Sequence, residues 1–104
     1  MKSKVFKLKW YGKTYKLYLV LDRYIKDDSL AVVLIEDKTN EQFAVVSVCL
    51  YPTTPSEGCF FVDTNNLPGI EEFLVENNIA FPTGMSGFSG YCICPEYKLN
   101  KEVL

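Results

Sequence analysis

The chain has 104 residues, 48% of them apolar and 14% aromatic, with a net charge of −2 and no histidine. That length and composition fit one folded domain over residues 1–104 and exclude intrinsic disorder. Without histidine the commonest general base, the commonest zinc nitrogen ligand and every Ser-His or Cys-His triad are gone.

The N-terminal segment reads as a β-hairpin. Phe6, Leu8 and Trp10 alternate with Lys7 and Lys9, and Tyr15, Leu17, Leu19 and Leu21 alternate with Lys16, Tyr18 and Val20. A period of two marks half-buried strands. A two-residue turn at Gly12-Lys13, of type II′, would pair Trp10 with Tyr15, Leu8 with Leu17 and Phe6 with Leu19. Lys9 would then face Lys16 on the outer side, where like charges repel.

Asp27-Asp28-Ser29 predicts a turn. Leu30–Ile35 is apolar throughout, as a central strand covered on both faces would be. Asp37–Asn40 is a polar turn, and Phe43–Leu50 predicts a second long strand, antiparallel to the one before. Pro52, Pro55, Ser56 and Gly58 mark 51–58 as a loop, and Cys59–Val62 is a short strand. Asn66 as cap and Pro68 in the first turn predict a helix over about 67–77, with Glu71 and Glu72 near its positive end and Asn77-Asn78 as its stop. Pro82, Gly84, Gly87 and Gly90 make 80–90 an irregular loop, the largest of the chain. Tyr91–Leu99 is a final strand, which Pro95 assigns to a sheet edge or a bulge. The expected class is α+β: an antiparallel sheet of five to six strands with one helix packed on it.

The charge is segregated along the chain. Residues 1–26 hold Lys2, Lys4, Lys7, Lys9, Lys13, Lys16, Arg23 and Lys26 against Asp22 alone, whereas residues 27–104 hold twelve acids against Lys38, Lys98 and Lys101. Such asymmetry points to charged partners. The pI of about 5.1 is far below the value of about 9 typical of a domain that neutralises phosphates. The longest apolar run, Leu30–Ile35, is short against the roughly 18 residues of a membrane helix. Lysines interrupt the N-terminus, so no signal-peptide core is expected and the cytoplasm is the expected compartment.

Little in the sequence offers chemistry. Cys49, Cys59, Cys92 and Cys94 are expected to be free thiols in a reducing compartment. Cys92-x-Cys94 would share one strand face, but zinc sites favour wider gaps, and free cysteines are commonly buried. Glu71 and Glu72 are helix neighbours that point apart, and no base is present to activate a serine or threonine. Asp63–Asn66 reads as a strand exit with side chains bonded to nearby backbone. Tyr18, Tyr24, Tyr51, Tyr91 and Tyr97 are candidate interface anchors. No catalytic residue, metal ligand or cofactor site is expected.

Several words of the second half carry a resemblance: Phe61-Val62-Asp63-Thr64-Asn65-Asn66, Pro68, Phe73-Leu74-Val75-Glu76-Asn77, Pro82-Thr83-Gly84, Ser89-Gly90-Tyr91 and Cys94-Pro95-Glu96-Tyr97. With Tyr15-Lys16-Leu17 and Ala31–Asp37, they resemble a family of small uncharacterised proteins carried by mobile elements and prophages of gut Firmicutes and Bacteroidetes, some of them of the size and origin of anti-CRISPR proteins. The resemblance implies a non-enzymatic protein that inhibits a Cas9-type effector, with or without guide RNA, by stoichiometric binding in the bacterial host. Such an effector holds nucleic acid in a basic channel, which an acidic exterior complements. The candidate acidic set is Asp27, Asp28, Glu36, Asp37, Glu41, Glu71, Glu72 and Glu76. A nucleic-acid-binding face made of Lys7, Lys9, Lys16 and Tyr18 is one alternative, and a non-enzymatic accessory protein of a mobile element is another.

Overall fold

The computed structural model describes residues 3–103; Lys2, the first of the alternating lysines, lies outside them. The α+β class and the antiparallel pairing follow the expectation, with eight strands divided between two sheets. The first sheet orders β1 (Phe6–Trp10), β2 (Lys13–Arg23), β3 (Leu30–Glu36) and β4 (Gln42–Val45) in sequence. The second orders β5 (Ser47–Val48), β6 (Cys59–Val62), β8 (Cys92–Leu99) and β7 (Ala80–Ser89). One α-helix, α1 (Ile70–Glu76), and a closing 3-10 turn (Lys101–Val103) are the remaining elements of the described residues.

The first hairpin folds with its turn one residue earlier than expected. Tyr11 and Gly12 both have positive φ, 49° and 77°, as a type I′ turn requires. Phe6 therefore pairs with Leu17 and Leu8 with Tyr15. The change of two in pairing leaves every apolar side chain on its expected face. It moves the like-charge pair to Lys7 and Lys16 and sets Lys9 opposite Thr14.

β3 is central, between β2 and β4. Leu30, Val32 and Leu34 are buried, whereas Val33 and Ile35 on the other face are half-buried, so only one face is fully covered. The expected long strand 43–50 is two strands. The chain changes sheets at the fully buried Val46: its N–H donates to Val32 O at 2.8 Å in the first sheet, and its carbonyl accepts from Asp63 N at 2.9 Å beside the second. The Ser47 hydroxyl reinforces the crossing by accepting from Val32 N at 2.9 Å.

The helix starts later than predicted. Asp63 accepts from Asn66 through both carboxylate oxygens, which fixes a turn ahead of the helix. Gly69 then enters α1 with φ 84°, a conformation that breaks any continuous helical path from Leu67. The predicted stop holds. Asn78 is left-handed (φ 55°), its N–H donates to Val75 O and that of Ile79 to Leu74 O. This is a Schellman closure, with buried Ile79 against Leu74.

The expected loop 80–90 is the strand β7. Pro82 and Gly84 are absorbed by a register shift against β8 between Pro82 and Ser86, a bulge of the kind that tolerates such residues, while Gly87 keeps regular register opposite Cys94. Pro95 does not mark an edge strand, since β8 lies between β6 and β7, but it pairs with Ser86 beside the register shift of β7, as the bulge reading expects. Pairing with β6 ends at Glu96, so the missing N–H of Pro95 interrupts no ladder there.

The core joins the two sheets and the helix. Phe6, Leu17, Leu19, Val32 and Leu34 meet Phe60, Val62, Tyr97 and Leu99, and α1 adds Ile70, Phe73 and Leu74. The Phe6 and Phe73 rings meet edge to face at 6.5 Å, a favoured aromatic geometry. A second, smaller cluster of Leu50, Phe61 and Cys94 seals the opposite face of the second sheet.

Candidate functional site

The acidic set is distributed over three places. Asp27 and Asp28 lie in the β2–β3 turn, while Glu36, Asp37 and Glu41 lie at the β3–β4 turn. These are opposite ends of the seven-residue β3, which spans about 20 Å. Glu71, Glu72 and Glu76 lie on α1.

The helical group converges on one concavity. Glu71, Glu72 and Glu76 line, with Val75 and Tyr97, an open cavity of about 420 Å³. Tyr97, on the buried face of β8, donates a 2.7 Å hydrogen bond to Glu71 Oε1 and so holds that carboxylate against the sheet. Burial and then the Glu71 carboxylate push the Tyr97 hydroxyl well above the ordinary tyrosine range. Glu72 and Glu76 point to solvent. The last turn of α1 carries no basic residue, so the negative end of the helix dipole adds to the Glu76 carboxylate there.

Asp27 has a local task. Its Oδ1 accepts from the Ser29 hydroxyl at 2.6 Å and from Ser29 N at 3.0 Å, and these bonds hold its carboxyl below the usual range. It closes the predicted turn. Asp37 is tied at its backbone, where its N–H donates to Lys16 O at 2.9 Å.

The alternative basic set is brought together only in part. Lys7 and Lys16 are exposed cross-strand partners. Lys7 and Lys9 border a groove of about 240 Å³ whose other side is Glu72, Glu76 and Asn77 of α1. The lysines of the edge strand thus share a groove with the carboxylates of the helix. Tyr18 corrects the expectation. It is 8% exposed and its hydroxyl donates to Asn40 Oδ1 at 3.0 Å, so its ring is not offered for stacking on a base. Of the other tyrosines, Tyr97 is buried, Tyr24 is half-buried against the Ser47 hydroxyl at 2.9 Å, and Tyr51 and Tyr91 are exposed.

All four cysteines are free thiols. Cys59 and Cys94 are buried, and burial raises both thiols above the ordinary range, away from thiolate chemistry. Among the described residues no group of three or more Cys, Asp or Glu side chains could hold a metal ion. No helix is long and apolar enough to cross a membrane among those residues.

One polar centre escaped the sequence reading. Glu96 is 4% exposed in the middle of β8. Its Oε2 accepts from Ser56 N at 2.8 Å and its Oε1 from the Thr83 hydroxyl at 2.6 Å. Burial opposes its ionisation, but the bonds from Thr83 and Ser56 outweigh burial and lower its pKa. Glu96 therefore ties the 51–58 loop and the β7 bulge to the sheet. A lone acid beside Pro95 in an apolar strand was the available signal.

No curated protein and no solved structure matches the chain. Residues 18–104, from the middle of β2 onward and without β1, match one family, and the chain belongs to it: the family described as Domain of unknown function (DUF4313).

Proposed function

We propose that the protein is a non-catalytic, stoichiometric binding protein of a mobile element, and that its carboxylate face on α1 docks into the basic nucleic-acid channel of a Cas9-type effector. The observation that carries this reading is the convergence of Glu71, Glu72 and Glu76 on one concavity, with Glu71 fixed by Tyr97. A preformed acidic surface speeds encounter with a cationic groove and favours it over other partners. The choice of effector rests on the sequence resemblance. The absence of histidine and the raised, buried thiols of Cys59 and Cys94 favour binding over catalysis.

A nucleic-acid-binding role has less support, because Tyr18 is buried and Lys7 and Lys9 share their groove with Glu72 and Glu76. The experiment is a titration of a purified Cas9-type effector, with and without guide RNA, beside a mobility-shift assay of the protein alone on RNA and DNA. Saturable one-to-one binding with no shift of free nucleic acid supports the reading. Retention of nucleic acid by the protein alone, with no effector binding, refutes it.

A further inference from the structure

We propose that the distal edge of β7, Ser86–Ser89, is a self-association surface: a second copy of this chain lays its own β7 antiparallel along it, joining two four-stranded sheets into one of eight strands. Among the described residues the sheets end at four edges, β1, β4, β5 and β7. An unpaired edge is a template for further pairing, which proteins ordinarily block with lysine, proline, a bulge or brevity. β1 carries the exposed Lys7 and Lys9. β4 is bulged, its register against β3 shifting between Leu34 and Ile35, and β5 has only two residues. The proximal half of β7 has Pro82 and the bulge. The distal half, four residues long, has no lysine, proline or bulge. Ser86–Ser89 runs in regular register with Cys92–Pro95, and residues 77–95 contain no charged side chain.

The register decides what this edge offers. Ser89 and Cys92 flank a two-residue turn in which Gly90 has φ 60°. Residues flanking such a turn exchange both hydrogen bonds with each other, and the pattern alternates along the ladder. The backbone N–H and C=O of Ser86 and Phe88 therefore face outward. A second β7 placed with Gly87 opposite the same glycine of the copy pairs Ser86 with Phe88 on each side of a two-fold axis. Gly87 presents no side chain at that axis.

The exposed side chains fit the same partner. Phe88 is 67% exposed and its cross-strand neighbour Ile93 60%. By strand alternation they lie on the face that carries Tyr97 and Leu99 into the core, so two copies set two such pairs side by side. A two-fold contact brings residues near the axis close to their own copies, where any charge would meet a like charge. An edge built for an acidic or basic partner would carry the opposite charge. This one carries none, as a second copy requires.

The test is sedimentation equilibrium of the protein alone, from micromolar to millimolar, so its outcome is independent of the effector. The expected result is a monomer–dimer equilibrium that Phe88→Lys weakens about tenfold or more. Ile25→Lys, at a fully exposed site in the β2–β3 turn, is expected to leave it unchanged. In the unmodified chain, amide exchange at Ser86 and Phe88 is expected to slow as concentration rises, which decides the matter should Phe88→Lys fail to fold. A monomer at every concentration overturns the proposal. So does equal weakening by both variants, or exchange at Ser86 and Phe88 that ignores concentration.

Discussion

Tyr97 and Glu71 are 26 positions apart, yet a 2.7 Å hydrogen bond joins them and anchors the acidic helix to the second sheet. The hydroxyl must stay protonated to donate. Burial and Glu71 raise its folded pKa above the unfolded value, which is about 10 for tyrosine. The stabilisation is therefore complete below about pH 10 and is lost as pH rises beyond it. Tyr97→Phe is expected to lower stability by about 1 kcal/mol at neutral pH and to flatten the alkaline fall-off, both read by urea melts across pH. An unchanged alkaline profile would contradict this assignment.

Glu96 controls the acid side. Its folded pKa lies below the ordinary value, so its contribution is present above about pH 4.3 and disappears as pH falls through the folded pKa. Glu96→Ala strands the Ser56 N–H and the Thr83 hydroxyl and is expected to cost about 2–3 kcal/mol. Glu96→Gln keeps an acceptor, costs less and flattens the acid limb of the same melts. If Glu96→Gln showed the unmodified acid limb, another carboxylate would have to be responsible.

Gly87 is required by space. A Cβ there would sit 2.7 Å from Leu50 Cδ1 and 3.0 Å from the Phe61 ring. Leu50 and Phe61 are buried partners in the smaller cluster, so Gly87→Val is expected to destabilise the fold by about 1–3 kcal/mol through overpacking. Thermal melting measures it, and Leu50→Ala in the same chain should recover part of the loss.

Much of the fold was legible because alternation is a strong local signal. The first hairpin, β3, β6 and the Asn78 stop all announce themselves in adjacent residues. The register of the hairpin was not legible, because pairings two apart put the same side chains on the same face, and only the positive φ of Tyr11 decides between them. The break at Val46 was hidden inside an apolar run, since both sheets want apolar residues there. β7 was obscured because proline and glycine mark bulges as well as loops. The site was legible as a list of acids and not as a place. Asp27, Glu36 and Glu76 are alike in sequence, and only the packing of α1 beside Tyr97 separates the convergent carboxylates from those that close turns.

The central claim is that the solvent-facing carboxylates of α1 make the contact with a basic partner. The direct measurement is the affinity of the double variant Glu72→Lys/Glu76→Lys for a Cas9-type effector at low and moderate salt, beside the unmodified chain. Both positions are exposed, and Glu71 with its bond to Tyr97 is left in place. The account predicts a loss of about tenfold or more at low salt and a weaker dependence on ionic strength. Unchanged affinity with unchanged salt dependence would contradict it.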